Sequence, residues 1–175
     1  MDIRTRLLET SEQLFDRHGF TATGMDRLTQ GAGISSRTLY KHVGNKNGLI
    51  AAVLNERDRR FHRQVETNSV DALFGALELW FAQETARGCL FLRAWGETGG
   101  DVPEIAEAMA RHKQRMRERI DAIVVAEIGW QDDELAESIQ LLLEGATHTA
   151  AYRGIATVEV ARRAAQRLVT VARTS

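Results

Sequence analysis

The 175-residue chain has one cysteine, Cys89, and one proline. A single cysteine excludes an internal disulfide and is typical of a protein kept in a reducing cytoplasm. Alternating runs of β-branched residues are also scarce, whereas Ala, Leu, Glu and Arg are abundant. These preferences favour an all-α fold in which no strand is needed.

The sequence also has neither a secretion signal nor a membrane-spanning run. Asp2, Arg4 and Arg6 interrupt its start, and no apolar stretch approaches the roughly 20 residues that a bilayer requires. A content of 43% hydrophobic and 27% charged residues is that of an ordinary globular protein. We therefore expect a soluble, cytoplasmic protein with no membrane partner.

The charge is nearly balanced, which argues against a generally basic coat for nucleic acid. The net charge is −1, but residues 1–47 hold seven Lys or Arg against five Asp or Glu, a balance of +2 that leaves −3 for the remainder. No Asp or Glu occurs from residue 31 to residue 55. The small basic bias therefore falls on the segment that carries the next motif.

Residues 23–48 have the pattern of a helix-turn-helix DNA-binding motif. Thr23 is predicted to N-cap the first helix, Gly33 to form the turn with a positive φ, and Ser35 to N-cap the second helix. The second helix carries cations and hydroxyls and no carboxylate, a composition that suits DNA phosphates. The alternative is an ordinary helical hairpin with a solvated polar face.

Helical periodicity and punctuation predict about nine helices along the chain. The first runs over residues 3–18 and ends at Gly19, and the fourth starts near Lys46 and runs to about residue 61. The last three are predicted to begin at an Asp101 cap, at residue 131 or 132, and at a Thr157 cap.

Residues 3–61 resemble the N-terminal DNA-binding head of the tetracycline-repressor (TetR/AcrR) family of bacterial transcription regulators. The resemblance covers the phenylalanine near the end of the first helix, the Gly-Phe after it and the threonine cap. It continues through the Ala-Gly-Ile-Ser turn, the Thr-Leu-Tyr-x-His run and the Lys-x-x-Leu that opens the fourth helix. Gly24, Val43 and Gly48 depart from the family pattern, where a hydroxyl residue, Phe and a helix-favouring residue are common.

The resemblance implies a homodimer whose two heads bind a palindromic double-stranded DNA operator, usually as a repressor, until a small-molecule inducer binds the C-terminal domain. We divide the chain accordingly into a DNA-binding domain, 1–47, and a ligand-binding and dimerisation domain, 48–175, connected by the helix from Lys46. The residues at the family's DNA-contact positions are Thr23, Ser35, Ser36, Arg37, Thr38, Tyr40, Lys41, His42 and Lys46.

Three of these residues have alternatives. Arg37 and Lys41 could reach guanine edges or only phosphates. Lys46, beside the free N–H groups of a helix start, could hold a phosphate or be a solvated surface lysine.

Six residues of the C-terminal part are candidate ligand contacts, and three of them, Glu84, Trp95 and His112, also have a plainer interpretation as core or surface residues. Glu84 lies either at the exposed end of its helix or against a cavity. His112 follows an apolar stripe between two methionines, where it is a core residue or a hydrogen-bonding partner of a ligand. The candidates, which suggest a mostly apolar or aromatic inducer, are Trp80, Glu84, Trp95, His112, Met116 and His148.

The last two helices are the predicted dimer interface. The first of them is apolar on two sides, and the second carries a stripe of small residues that permits close approach. Two such pairs would form a four-helix bundle, whereas the alternative is an intramolecular hairpin.

No arrangement of residues typical of an enzyme is found. The five histidines lack a metal-ligand spacing and no glycine-rich phosphate loop follows a strand, so no catalytic residue, metal or cofactor is predicted. Cys89 is a packed small residue or a redox sensor. The sequence therefore predicts a ligand-responsive, sequence-specific DNA-binding repressor, with a constitutive DNA-binding helical dimer as the alternative.

Overall fold

The computed structural model describes residues 2–174, which form nine helices and no strand. The predicted all-α fold is thus confirmed. Within these residues, none of the helices combines the length and the apolar character that crossing a membrane requires. The helices are α1 (Ile3–His18), α2 (Met25–Ala32), α3 (Ser36–Val43), α4 (Lys46–Gln64), α5 (Val70–Gln83), α6 (Leu90–Glu97), α7 (Pro103–Ile128), α8 (Asp133–Arg153) and α9 (Ala156–Ala172).

Two of the caps predicted for the last three helices are wrong. α7 begins at Pro103, and Val102 rather than Asp101 precedes it. Proline suits the first helical position because the N–H that it lacks would have no partner there. α9 begins at Ala156, so Thr157 lies inside its first turn, where its hydroxyl donates to a main-chain carbonyl at 2.9 Å.

The chain divides into two compact units. The head unit comprises Met1–Arg59 and Leu90–His112, and the body unit comprises Arg60–Cys89 and Lys113–Ser175. α6 therefore folds with the N-terminal helices, although 46 residues separate it from Val43, the end of α3. The domain boundary predicted at residue 47 separates the chain by function and not by compactness, and it stays a prediction.

The head unit has an apolar core drawn from all of its helices. Phe15 of α1 and Phe20 after it stack with their ring centroids 4.9 Å apart, and both are fully buried. Burying an aromatic side chain of this size contributes about 1.5–3 kcal/mol. The other fully buried large side chains of the unit include Leu7, Leu28, Leu39, Leu49, Ile50, Leu54 and Leu90.

Two buried polar pairs also hold the head unit together. Arg57 of α4 donates to the carboxylate of Glu12 on α1, and both side chains are less than a tenth exposed. Asp58, the next residue of α4, pairs with Nδ1 of His112 on α7 at 2.8 Å. The His112 ring lies flat on Phe91 of α6, with centroids 3.8 Å apart and an interplanar angle of 2°.

The body unit packs α5, α8 and α9 and the second part of α7 around one hydrophobic cluster. Polar contacts at its edge fasten α9. Arg162 donates twice to Asp71 of α5, at 2.7 and 2.5 Å, and these hydrogen bonds lower the pKa of the Asp71 carboxyl. Glu127 of α7 accepts from the Val70 N–H and from Arg173, both at 2.8 Å.

Candidate nucleic-acid interface

α2, a glycine turn and α3 form the helix-turn-helix. Gly33 takes the left-handed conformation, with φ 62° and ψ 40°, which glycine adopts without steric cost. Its N–H donates to the Gln30 carbonyl at 3.2 Å, and the N–H of Ile34 donates to the Thr29 carbonyl at 3.1 Å, so two of the last four carbonyls of α2 have partners in the turn. The turn geometry predicted for Gly33 is confirmed.

Ser35 caps α3 as predicted. Its Oγ accepts from the Thr38 N–H at 3.1 Å and lies 2.9 Å from the Thr38 hydroxyl. The two hydroxyls are therefore hydrogen-bonded to each other at the start of α3, where any phosphate would meet free N–H groups.

One side of α3 faces solvent with cations and hydroxyls. Ser36, Arg37, Tyr40 and Lys41 are all exposed, and we call them the α3 outer face. Tyr40 is 48% exposed despite its size. Neither Arg37 nor Lys41 forms an ion pair with any residue that the structure describes. Thr38 and His42, the other predicted contacts on this helix, are half-buried beside that face.

Thr23 does not occupy the N-cap position of α2 that was predicted for it. Gly24, not Thr23, precedes α2, and no side chain caps that helix. Thr23 is fully buried, and its hydroxyl donates to the Gly19 carbonyl at 2.6 Å. Its side chain thus closes the turn after α1 and exposes nothing with which to reach a phosphate. The capping prediction is wrong because the Thr23 hydroxyl points to the Gly19 carbonyl, four residues back in the turn after α1, and not to the N–H groups that open α2.

Lys46 opens α4 and is half-buried. Its ammonium donates to the Thr21 carbonyl at 3.2 Å, in the loop between α1 and α2. Partial burial lowers the pKa of this amine, and the negative charge of Glu97 opposes that shift. An ammonium has three donors, so the bond to Thr21 leaves two for a phosphate.

Gly48, one of the departures from the family pattern, is required by the backbone of this chain. Its N–H donates to Oδ1 of Asn45 at 2.8 Å, which caps α4. A Cβ at Gly48 would lie 2.3 Å from the Val43 carbonyl oxygen. The sharp connection from α3 to α4 therefore leaves no room for a side chain.

Gly48→Ala is expected to lower the free energy of unfolding by about 1–3 kcal/mol, the usual cost of overpacking. Helix propensity alone predicts the opposite sign, since Ala is favoured over Gly by about 0.5–1 kcal/mol within a helix. Urea unfolding followed by circular dichroism measures the difference. Gly75→Ala in α5 is the matched control, because nothing lies within 4 Å of its added Cβ, and we expect it to be neutral or stabilising. Equal effects of the two substitutions would contradict this explanation.

Arg4 is a candidate contact that the sequence analysis missed. Its guanidinium lies 3.5 Å from the His42 carbonyl at the end of α3 and is exposed. The contact spans 38 residues, and Arg4 lies on the polar side of α1, where a cation has no distinctive pattern. Arg4 therefore places another positive charge beside α3.

The six candidate ligand contacts are distributed over both units. In the head unit, His112 is buried against Phe91 and Asp58, as described above, whereas Trp95 is 39% exposed and covers Gly100. In the body unit, Trp80 and Met116 belong to the hydrophobic cluster.

The two remaining candidates have polar surroundings within the body unit. Glu84 follows the last residue of α5, is half-buried and pairs with Arg60 at 3.4 Å. His148 is half-buried, with its Nδ1 near Gly88. A role in binding a ligand stays a prediction for all six.

α8 and α9 share an exposed apolar surface. A groove of about 300 Å³ runs between them and is lined by Leu141, Gly145, Val160 and Ala164 among others. Leu141, at the edge of this groove, is 65% exposed. We call the exposed apolar residues of this hairpin the α8–α9 face; they are Leu141, Tyr152, Val160, Leu168 and Val171.

Comparison with known proteins places these features in a family context. Residues 7–53 match the profile of the family described as bacterial regulatory proteins, tetR family. A curated relative, the HTH-type transcriptional repressor ComR of Escherichia coli K12, is 27% identical over 127 residues, which are 66% of this chain and 60% of that protein. The HTH-type transcriptional regulator UidR from the same organism is 34% identical over 67 residues, or 36% of this chain. The chain thus spans 60% of the length of the first relative and 34% of the second.

Solved structures share the fold over nearly the whole chain. A TetR-family transcriptional regulator from Streptomyces coelicolor superposes with a TM-score of 0.85 at 23% identity, covering 98% of this chain and 96% of that one. The reduced form of NemR from Escherichia coli has a TM-score of 0.76 at 20% identity, covering 95% and 96%. At these identities the likeness concerns the fold alone.

Proposed function

Because the chain belongs to the tetR family of bacterial regulatory proteins, we propose that it is a homodimeric repressor that binds a palindromic operator and is released by a small, largely apolar or aromatic molecule. The observation that carries the DNA-binding part is the α3 outer face, which presents cations and hydroxyls without a single carboxylate. Phosphates attract such a surface, and a helix of this kind fits a major groove.

The helix-turn-helix geometry supports α3 as the recognition helix. Ser35 and Gly33 fix where α3 begins, and the buried Leu39 anchors it to the head core. Arg37 and Lys41, one turn apart, then point to solvent on the same side. In a dimer, two such helices would meet successive major grooves about 34 Å apart.

The α8–α9 face supports the homodimer. Soluble proteins rarely leave a contiguous apolar patch uncovered, and such patches mark protein interfaces. The small residues Gly145 and Ala164 in the groove permit helices to approach closely. A second copy presenting the same face would complete a four-helix bundle with two-fold symmetry.

Induction would operate by a shift in the populations of the dimer's alternative arrangements. A ligand that prefers a dimer arrangement with wrongly spaced recognition helices would lower operator affinity. A coupling free energy of about 1–3 kcal/mol would change that affinity roughly 5- to 150-fold. The alternative is a constitutive DNA-binding dimer that responds to no small molecule; loss of operator binding on titration of the complex with small aromatic compounds would exclude it.

The first experiment is a fluorescence-anisotropy titration with DNA from the region upstream of the gene, using a scrambled duplex as control. The proposal requires saturable, salt-sensitive binding that prefers the native duplex, with two protomers per site. Equal, weak binding to both duplexes, repeated with duplexes from the whole neighbouring region, would contradict it.

Tyr40→Ala is expected to weaken operator binding by about 10- to 150-fold, since a hydrogen bond to a charged phosphate is worth about 1.5–3 kcal/mol. Lys46→Ala is expected to reduce the salt slope of the binding constant by about one. Both variants should remain dimeric, as measured by sedimentation. Lys113→Ala is the control, since that lysine pairs with Glu144 in the body unit, and we expect unchanged DNA affinity. Loss of the dimer, or wild-type affinity in both variants, would count against these contacts.

A further inference from the structure

The end of α6 is hydrogen-bonded to the loop between α1 and α2. Oε2 of Glu97 accepts from the N–H groups of Phe20 at 2.7 Å and of Thr21 at 3.0 Å. The Glu97 carbonyl also accepts from the Thr21 hydroxyl at 3.1 Å. Three hydrogen bonds therefore join one residue of α6 to a two-residue segment that lies 76 positions away in sequence.

Arg93, one turn before Glu97, holds the other side of the same loop. Its guanidinium donates to Oδ1 of Asp16 at 2.9 Å and to the Asp16 carbonyl at 3.0 Å, at the end of α1. A cation is favoured at a helix C-terminus, and a carboxylate is favoured by paired N–H groups. Arg93 therefore stabilises one side of the loop with a positive charge, and Glu97 stabilises the other side with a negative charge.

The loop is shaped to accept the carboxylate. Gly19 has a φ of 86°, and a Cβ there would lie 3.0 Å from Oε2 of Glu97. A side chain at position 19 would therefore be strained and would crowd the Glu97 oxygen. The absence of a side chain lets Glu97 reach the N–H groups beyond it.

Thr21 connects this contact to the candidate DNA interface. Its N–H is held by Glu97, and its carbonyl accepts from the Lys46 ammonium. Because the peptide groups on both sides of Thr21 belong to a short, restrained loop, fixing its N–H also restrains its carbonyl. Glu97 thereby restrains the position of Lys46 without belonging to the helix-turn-helix.

We propose that Glu97 is a positioning residue for DNA binding, which holds the loop at Thr21 so that Lys46 presents its ammonium to a phosphate. This inference rests on the proposed function. It predicts that removing Glu97 weakens operator binding, whereas simple electrostatics predicts the opposite change in affinity. Removing a carboxylate near DNA should strengthen binding by reducing repulsion, whereas loss of a positioning residue should weaken it.

The test is a double-mutant cycle of Glu97→Ala and Lys46→Ala, measured as operator affinity against salt concentration. A single phosphate contact contributes about 0.9 to the salt slope, which corresponds to about fivefold in affinity at 0.15 M salt. Each single variant is expected to lose about that slope and that affinity. The double variant is expected to lose no more than either one, because both changes remove the same contact.

Two further variants separate positioning from charge and from folding. Glu97→Gln removes the charge but keeps an oxygen that accepts from both N–H groups, and it should recover the wild-type salt slope. Glu107→Ala removes an exposed carboxylate from the same unit and should not weaken binding. Thermal unfolding of each variant shows whether the head remains folded.

The outcomes are distinct. A wild-type slope in Glu97→Ala, stronger binding by that variant, or additive losses in the double variant would overturn the positioning role while the proposed function stands. Failure of the wild-type protein to prefer any operator duplex would overturn the proposed function and this inference with it. If Glu97→Ala unfolds, Glu97→Asp replaces it: the shorter carboxylate keeps the charge but withdraws from the two N–H groups, so a wild-type salt slope in this variant would overturn the positioning role.

Discussion

Arg57→Ala is expected to lower the free energy of unfolding by about 3–5 kcal/mol, because it leaves the Glu12 carboxylate buried without its guanidinium. The side chains of Glu12 and Arg57 are 8% and 7% exposed, so solvent cannot replace the lost partner. The pair joins α1 to α4, and its loss should therefore loosen the head unit. Chemical denaturation followed by circular dichroism measures the effect.

A matched substitution two residues away distinguishes burial from mere loss of charge. Arg59 pairs with Glu56 on the same helix, but its side chain is 67% exposed. Arg59→Ala should therefore cost only about 0–1 kcal/mol. The double replacement Glu12→Leu with Arg57→Met removes both charges and should recover most of the stability. Equal costs for the two arginines, or no recovery in the double variant, would contradict this account.

The elements that could be predicted from sequence are those set by local chemistry. Ser35 caps α3 and Gly33 forms the left-handed turn because neighbouring backbone groups need them there. Periodicity likewise predicted α1 over the residues that form it. These features depend on residues fewer than five positions apart, so a single sequence contains the information.

The elements that could not be predicted depend on how the chain folds, and two of the three described here depend on distant partners. Thr23 has the residue type of a cap, yet its hydroxyl bonds to Gly19 because the loop after α1 folds back there. Nothing in the periodicity of α6 places Glu97 against Thr21, since 76 residues separate them. His112 was expected to be a core or ligand-binding residue, and its partner Asp58, 54 residues away, emerges only from the packing of α4 and α7.

The α8–α9 face is another feature that a single sequence predicts only in part. The apolar pattern of α8 predicted two apolar sides, and the structure buries Ile139 and Leu143 while leaving Leu141 exposed. One chain therefore uses only part of this apolar surface. The proposed homodimer predicts that a second copy of the chain covers the rest.

Leu141→Glu is expected to convert the dimer to a monomer, because assembly would bury a carboxylate on an apolar face. Operator affinity should then fall by about 10²- to 10⁴-fold, since the second half-site would no longer be engaged by a linked head. Sedimentation equilibrium measures the mass, and anisotropy with the operator duplex measures the affinity.

Leu79→Glu is the matched control for this prediction. Leu79 lies on α5, is 55% exposed against 65% for Leu141, and is outside the α8–α9 face, so the same substitution should leave both dimer and affinity unchanged. Val160→Glu, on the α9 side of the groove, should reproduce the effect of Leu141→Glu. If Leu141→Glu and Val160→Glu remain dimeric while Leu79→Glu dissociates, the interface lies on α5 instead. If all three stay dimeric and bind the operator normally, the apolar groove between α8 and α9 is not where the two subunits meet.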